Sequence, residues 1–314
     1  MPSAKAKAAA AAAVADAHRG NWVDRYAPDW LKPYARLARW DRPIGFWLLF
    51  WPCGFSLALA ALANPDRGMN WLALGLMLVG AIAMRGAGCT LNDIVDANLD
   101  AKVARTRSRP IPAGQVTKRR AAAFLVLQLL VGVAIVATFN WLTIGLAAAS
   151  LVLVAIYPFM KRITWWPQLF LGLAFSYGAL LGWTSQMGSL SWPPVLMYLG
   201  SILWVIGYDT IYALQDIDDD ALVGIKSTAR LFGANVRPAV GVLYAGAVVL
   251  WTVAVAMVGE IRLFPLALIL PVCILGWQVA TLDVKDRANA LALFKANHWA
   301  GLGLTLAILL EAYF

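Results

Sequence analysis

The sequence predicts an all-α fold, a polytopic transmembrane helical bundle with nine transmembrane helices. Three observations lead there. Apolar runs of roughly 20 residues recur from Ile44 to the C-terminus, each long enough to cross about 30 Å of hydrocarbon as a helix. The few charges, 14% of the residues, lie mostly between those runs. The runs lack the strict polar–apolar alternation of a membrane barrel.

Taken in order, residues 1–33 open with the alanine-rich stretch "AKAKAAAAAAVADAH". Its apolar run is short and is followed at once by Asp16 and His18, a poor fit to a signal peptide, and a transit peptide is richer in Ser and Arg. The expectation is a mobile cytoplasmic tail, with residues 34–314 forming one transmembrane domain. The stretch "APDWLKPYARLARWDRP" combines Trp, Tyr and Arg and suits an interfacial helix at headgroup level. The nine spans are placed at residues 43–64, 70–93, 119–139, 141–160, 166–187, 193–215, 236–257, 262–281 and 293–313. Connections are short except for residues 94–118 and 216–235, and polar loops of that size are usually functional.

The basic residues orient this arrangement. Arg67 and Arg262 fall after odd-numbered spans, and Arg85 falls inside span two. The remaining 23 of the 26 Lys and Arg residues sit in the tail or after even-numbered spans. By the positive-inside rule that second side is cytoplasmic, so both long polar loops face the cytoplasm. Losing one span would scramble the count, which supports nine. The formal charge of +9 therefore reflects topology and an anionic ligand, with no nucleic acid as partner. Cys53, Cys89 and Cys273 are far apart within apolar stretches and have neither metal-ligand nor disulfide spacing. His18 and His298 are isolated.

Two acidic segments stand out. In "NDIVDANLD", Asn92, Asp96 and Asp100 are four residues apart and share one helical face. In "YDTIYALQDIDDD", Asp209, Tyr212, Asp216 and Asp220 do the same, while Asp218 and Asp219 point elsewhere. Like charges at this spacing destabilise a helix by about 0.2–0.5 kcal/mol per pair, so a cation must offset them. No base is interleaved on either face. Hard oxygen ligands suit Mg²⁺, which commonly joins one or two carboxylates to substrate phosphates. A single DxxxD reads most simply as a solvated helix end. Two such stretches, both at the cytoplasmic ends of spans, favour metal binding.

Bases crowd beside these acids. Lys102, Arg105, Arg107 and Arg109 follow the first segment, Lys161 and Arg162 end span four, and Lys226 and Arg230 follow the second segment. Some anchor the topology; carboxylate-held Mg²⁺ ringed by Lys and Arg also makes a diphosphate site. In "RPIPAG", Pro110 and Pro112 stiffen the loop that carries Arg109. Of these, Arg105, Arg109, Lys161, Arg162 and Lys226 are the candidate diphosphate-binding residues.

The segments "NDIVDANLDAKVARTRSRPIPAG" and "YDTIYALQDIDDDALVGIKSTARLFG" resemble the two signature motifs of the UbiA superfamily of intramembrane prenyltransferases. "RLARWDRPIGFWLLFWPCGFSLALA" and "YPFMKRITWWPQLFLGLAFSYG" resemble the branch of that family acting on 4-hydroxybenzoate in the ubiquinone pathway. The resemblance covers roughly residues 34–314; Trp165 and Trp166 occupy positions that vary in the family. It implies nine transmembrane helices around a central cavity open to lipid. It also implies transfer of a polyprenyl chain from polyprenyl diphosphate to the ring carbon ortho to the phenol of 4-hydroxybenzoate. By the family pattern Asn92, Asp96 and Asp100 map onto the first Mg²⁺ motif, and Asp209, Asp216 and Asp220 onto the second.

The chemistry suits a dry site, because Mg²⁺, Lys and Arg spread the leaving charge while water would quench an allylic cation. Asp209 is a candidate acceptor for the ring proton. Tyr212 either orients a phosphate or stabilises cationic character, or simply packs. The acceptor's carboxylate needs a cation: Arg42 first, Arg85 second. Arg85 lies inside a span, and a salt bridge to Asp93, which faces away from the stripe of Asn92, Asp96 and Asp100, is its other reading. Two alternatives remain: a family member acting on another aromatic, quinoid or haem acceptor, and a transporter, which would place its ionisable groups at interrupted helices near the midplane. The expected location is a bacterial inner membrane, the alternative a mitochondrial inner membrane.

Overall fold

The structure is a computed structural model and describes residues 20–102, 106–217 and 224–314. Its regular elements are helices: α1 (Trp22–Tyr26), α2 (Lys32–Leu37), α3 (Ile44–Ala63), α4 (Trp71–Asp100), α5 (Lys118–Val136), α6 (Trp141–Ile163), α7 (Pro167–Phe175), α8 (Gly178–Met187), α9 (Trp192–Ala213), α10 (Thr228–Phe232), α11 (Val236–Ala256), α12 (Phe264–Thr281) and α13 (Arg287–Tyr313). A short 3₁₀ turn, Gly233–Asn235, joins α10 to α11. Among the described residues eight helical segments are long and apolar enough to span a membrane.

The difference from nine lies in predicted span five. Residues 166–187 fold as two short helices, α7 and α8, separated at Ser176 and Tyr177. Just past the break, α8 packs closely on α3. A Cβ at Gly178 would lie 2.6 Å from Sγ and 2.9 Å from the backbone nitrogen of Cys53, and one at Gly182 would lie 2.7 Å from the Cys53 carbonyl oxygen. Ser56 of α3 ties the same seam, donating to the Ala179 carbonyl and accepting from the Trp183 N–H at 2.8 Å.

The chain divides into two compact units. One runs through Phe46 and resumes at Leu78–Ile135; the other comprises Trp47–Met77 and Val136–Phe314. In the first unit, structure begins before residue 34. Asn21 caps α1 by accepting from the Asp24 N–H, Val23 is fully buried, and Asp24 pairs with Arg36 at 2.8 Å. The predicted tail is thus helical in its described portion, while residues 1–19 lie outside the described residues. The expected interfacial helix is short, only Lys32–Leu37. Its Leu37 packs with Val116 and Ala121, and the Tyr34 ring meets Phe124 edge-on at 5.2 Å. Helix α4 has 30 residues, roughly 45 Å at 1.5 Å per residue. That exceeds a hydrocarbon layer of about 30 Å, so its acidic end projects past the apolar part.

In the second unit α9 is the central element, packed on α7, α8, α11 and α13. Two rings of α11 sit on two glycines of α9. A Cβ at Gly200 would lie 2.8 Å from the Trp251 ring, and one at Gly207 would lie 2.5 Å from the Tyr244 ring. Both pairs are seven residues apart on their own helices, so one face of each repeats the fit antiparallel. Small residues that let helices approach are the main way to gain contact inside lipid. Polar groups within this packing find partners. Trp204 Nε1 donates to Asn297 Oδ1 at 2.8 Å, and Tyr244 Oη and Asn297 Nδ2 both donate to Gln278 Oε1, at 2.9 and 3.0 Å. Glu311 closes the start of α12 by accepting the N–H groups of Arg262, Leu263 and Phe264 at 2.5–2.8 Å. Cys53, Cys89 and Cys273 are free thiols.

Gly207→Ala should therefore destabilise the protein by about 1–3 kcal/mol through overpacking, read as a lower thermal midpoint in detergent. Gly276→Ala, on α12 with open space around it, should be neutral or slightly stabilising. Equal effects at both positions would show that the α9–α11 fit is not what limits stability.

Candidate active site

The acidic end of α4 is the best-defined chemical feature of the first unit. Asp93 has no exposed surface, Asp96 is 4% exposed and Asp100 is 6% exposed. Buried carboxylates need cations, and two arginines supply them. Arg39 Nη2 lies 2.7 Å from Asp93 Oδ1. Arg109 Nη1 lies 3.0 Å from Asp100 Oδ2 and 3.4 Å from Asp93 Oδ1, so it bridges the two acids. Asp93 Oδ2 is buried and accepts no hydrogen bond from a described residue. An acceptor of that kind beside further carboxylates is a donor set suited to a hard divalent cation. Among the described residues no three His, Cys, Asp or Glu side chains could by themselves hold a metal ion. Any such ion would draw further ligands from a phosphate or from water, as Mg²⁺ commonly does.

Local structure explains how Arg109 gets there. Thr106 Oγ1 donates to the Asp100 carbonyl at 3.0 Å, tying the returning chain to the end of α4. The Arg109 N–H then donates to the Thr106 carbonyl, and the N–H groups of Gln115 and Val116 both donate to the Pro110 carbonyl. The result is a compact, Pro-stiffened loop.

Arg39 was not a sequence candidate. It sits in the link between α2 and α3 with φ of 59°, the only described non-glycine residue in the left-handed region. Its other guanidinium nitrogen, Nη1, donates to the Arg36 carbonyl at 2.7 Å. A positive φ at a residue with a Cβ costs on the order of 1 kcal/mol or more, and such strain concentrates at functional sites. The local signal available was "RLARWDRP", where three arginines precede the first span; nothing in it singles out Arg39.

Two expectations about the first unit need correction. Arg85 does not pair with Asp93, which Arg39 and Arg109 hold. Arg85 instead lies against Gly45 at the start of α3, where a Cβ would come within 2.5 Å of Nε. Asp93 also does not face away from the stripe, because it shares Arg109 with Asp100. Seven residues are two helical turns to within about 20°, so these two acids lie almost in line. Asn92 is half-buried on the flank. Arg42 is held by its neighbour, with Nε and Nη2 each 3.2 Å from an oxygen of Asp41. Arg105 lies outside the described residues.

The second acidic segment belongs to the other unit and differs from the expected helical face. Helix α9 ends at Ala213. The N–H groups of Gln215 and Asp216 then donate to the Tyr212 and Ala213 carbonyls, a tighter i→i+3 winding. Asp216 is thus on a turn, not on a continuing helix. Asp218, Asp219 and Asp220 lie outside the described residues. Asp209 and Tyr212 remain on α9, half-buried, with the Tyr212 ring 4.5 Å from that of Phe294 on α13.

Nearby bases are engaged with α6. Lys161 and Arg162 occupy its last turn, where cations suit the negative end of the helix dipole. Lys226 does not project freely: its N–H donates to the Lys161 carbonyl at 2.9 Å and its Nζ to the Ile163 carbonyl at 3.1 Å. Arg230 lies over the Trp165 ring at 5.4 Å.

Arg39→Ala should cost about 3 kcal/mol in detergent unfolding, because it removes the shortest partner of a buried carboxylate. Arg39→Gly should be milder, since glycine adopts that backbone without strain. Arg262→Ala, which removes an exposed partner of Glu260, should change stability by less than about 1 kcal/mol. A loss at Arg39 no larger than at Arg262 would contradict the assigned role of the buried pair.

The UbiA prenyltransferase family model matches residues 49–301. A mosquito protein (Aedes aegypti) named 4-hydroxybenzoate polyprenyltransferase, mitochondrial, is 49% identical over 283 residues, covering 88% of this chain and 63% of that one. The chain thus spans less than two thirds of that relative's length. An Arabidopsis thaliana protein of the same name is 42% identical over 294 residues, covering 90% and 69%. Among solved structures, a UbiA homolog from Aeropyrum pernix K1 superposes with a TM-score of 0.69 at 24% identity, covering 84% of this chain and 97% of that one. A UbiA homolog from Archaeoglobus fulgidus bound to GPP and Mg²⁺ gives 0.62 at 19% identity, covering 88% and 99%. At these identities the structural likeness is one of fold. The family match over most of the spans, with two relatives above 40% identity, places this chain in the UbiA prenyltransferase family.

Proposed function

We propose that the protein transfers a polyprenyl chain from polyprenyl diphosphate to the ring carbon ortho to the phenol of 4-hydroxybenzoate. The observation that carries this reading is the buried acidic end of α4, where Asp93, Asp96 and Asp100 gather with Arg39 and Arg109. Such a cluster suits recognition of a metal-complexed diphosphate. The relatives that share the family carry the name of this activity. The interrupted helix of the second unit has no Asp, Glu, Lys or Arg at Ser176–Tyr177, which disfavours a transporter reading built on a charged helix break.

In this reading Asn92, Asp96 and Asp100, with Asp216 and Asp220, supply oxygen ligands. Mg²⁺, when bound, would neutralise charge on the departing diphosphate. Arg105, Arg109, Lys161, Arg162 and Lys226 favour the same anion, Arg109 from its loop and Lys226 from its seat on α6. The allylic C–O bond breaks, the electron-rich ring carbon bonds to the allylic carbon, and the ring carbon then loses its proton. Asp209 accepts that proton. Tyr212, whose ring already meets that of Phe294 at a tilt, shapes the apolar wall. Arg42 or Arg85 binds the acceptor's carboxylate. Apolar spans keep water from the allylic carbon.

The compartment of the relatives supports a mitochondrial inner membrane over the bacterial inner membrane expected first. On either membrane the basic loops lie on the inner side.

Membranes containing the protein, supplied with 4-hydroxybenzoate and polyprenyl diphosphates of several lengths, should form prenylated product with Mg²⁺ and lose it with chelator. The double variant Asp96→Ala, Asp216→Ala should lower the rate by about a hundredfold or more. Absence of product with every donor would refute the substrate assignment, and full activity of the double variant would refute the metal assignment.

A further inference from the structure

A groove of about 410 Å³ runs between α12 and α13 in the second unit, lined by Ile274, Trp277, Ala292, Lys295, Ala296 and Trp299. It involves none of the residues assigned to prenyl transfer. Both tryptophans are exposed, at 48% and 60%, and Lys295 is exposed between them. Lys295 lies in a helix long and apolar enough to span a membrane, eight residues after Arg287. Among the described residues its side chain has no ion pair and no hydrogen bond.

A lysine ammonium in that position requires a partner. Eight residues of helix are about 12 Å, and a lysine side chain can snorkel back toward the headgroups along its own helix. Ala292 and Ala288 lie one and two turns before Lys295 on the same helix face, toward the start of α13, and small residues there leave room for such a path. Tryptophan prefers the same interfacial level, with its ring body in the apolar layer. Among the described residues no carboxylate lines the groove, which leaves the charge open to an anion from the surroundings. The bilayer supplies one anion at that depth, the lipid phosphate. An acyl chain beneath it would lie against Ile274 and the two indole rings.

We propose that this groove is a binding site for a single anionic phospholipid, whose phosphate pairs with Lys295 and whose acyl chain packs against Trp277 and Trp299. Zwitterionic lipids bring their own ammonium close to the phosphate and so gain less from the lysine.

The test uses the full chain in maltoside detergent, titrated with palmitoyl-oleoyl phosphatidylglycerol or the matching phosphatidylcholine, with bound lipids counted by native mass spectrometry. The expected result is a preference of about fivefold for phosphatidylglycerol at the tightest site, the scale of one basic residue beside an anionic lipid. Lys295→Gln should abolish the preference and Lys295→Arg should keep it. Ala292→Phe fills the groove without touching the charge, and it should lower binding of both lipids at that site. Three results would overturn the proposal: no preference in the native chain, an unchanged preference in Lys295→Gln and Ala292→Phe, or one-for-one displacement of phosphatidylglycerol by geranyl diphosphate. The last would assign the groove to the prenyl substrate.

Discussion

A carboxylate with no access to solvent governs the first unit. Asp93 is fully buried at the membrane edge, and an uncompensated charge there would cost several kcal/mol. Everything around it is arranged to prevent that. The link between α2 and α3 takes up a left-handed residue so that Arg39 can reach Asp93 and the Arg36 carbonyl together. The loop after α4 is tied back through Thr106 so that Arg109 reaches Asp93 and Asp100. Both cations are arginines, whose planar forks present several donors to partners in fixed directions; a lysine would hold one charge with less geometry. The net contribution of such a cluster to stability is small, because desolvation offsets most of the attraction. Its effect is to fix the position of the acids.

The second unit solves a different problem with neutral groups. Trp204, Tyr244, Gln278 and Asn297 join α9, α11, α12 and α13 through hydrogen bonds that leave no net charge inside the packing. Backbone approach, through Gly200 and Gly207, lets the Trp251 and Tyr244 rings close on α9. The same helix carries Asp209 and Tyr212 near its end. Tyr208 and Tyr212 both contact the Phe294 ring, so the end of α9 is held by aromatic contacts from α13. That contact gives Tyr212 a packing role whatever its part in chemistry.

Much of this was legible in the sequence, and the omissions have physical causes. Span limits fell close to the helices because apolar composition reports burial in lipid directly; α3, α6, α9 and α11 lie within a few residues of expectation. The broken span was invisible because Ser176 and Tyr177 sit in a run of uniform apolarity. The seam that follows it, Gly178 and Gly182 against Cys53 and its backbone, joins residues far apart in sequence. Asp93 was misplaced because attention to steps of four residues favoured Asn92, Asp96 and Asp100 as the stripe. A step of seven lies nearer to whole turns than two steps of four, and it aligns Asp93 with Asp100. The acidic face after Asp209 does not run on as one regular helix, because the chain tightens at Gln215 and Asp216 once α9 ends at Ala213. Arg39 could not be singled out from Arg36 and Arg42, because its left-handed backbone leaves no mark in composition.

The failures share a direction. Periodicity reports a helix on its own, so it identified which segments are helical and which residues are acidic. It could not report contacts made across the chain, and the site is built from those contacts. Arg39 and Asp93 are 54 residues apart, and the atoms that join them belong to a link and to a helix end. Lys226 makes the same point from the opposite side. Its charge and its neighbours suggest an anion ligand, and its backbone N–H and one of its three ammonium donors also close the end of α6. A basic residue beside an acidic segment therefore has two possible partners, an external anion or the carbonyls of a helix terminus. Which one it serves is decided by tertiary distance, not by sequence proximity.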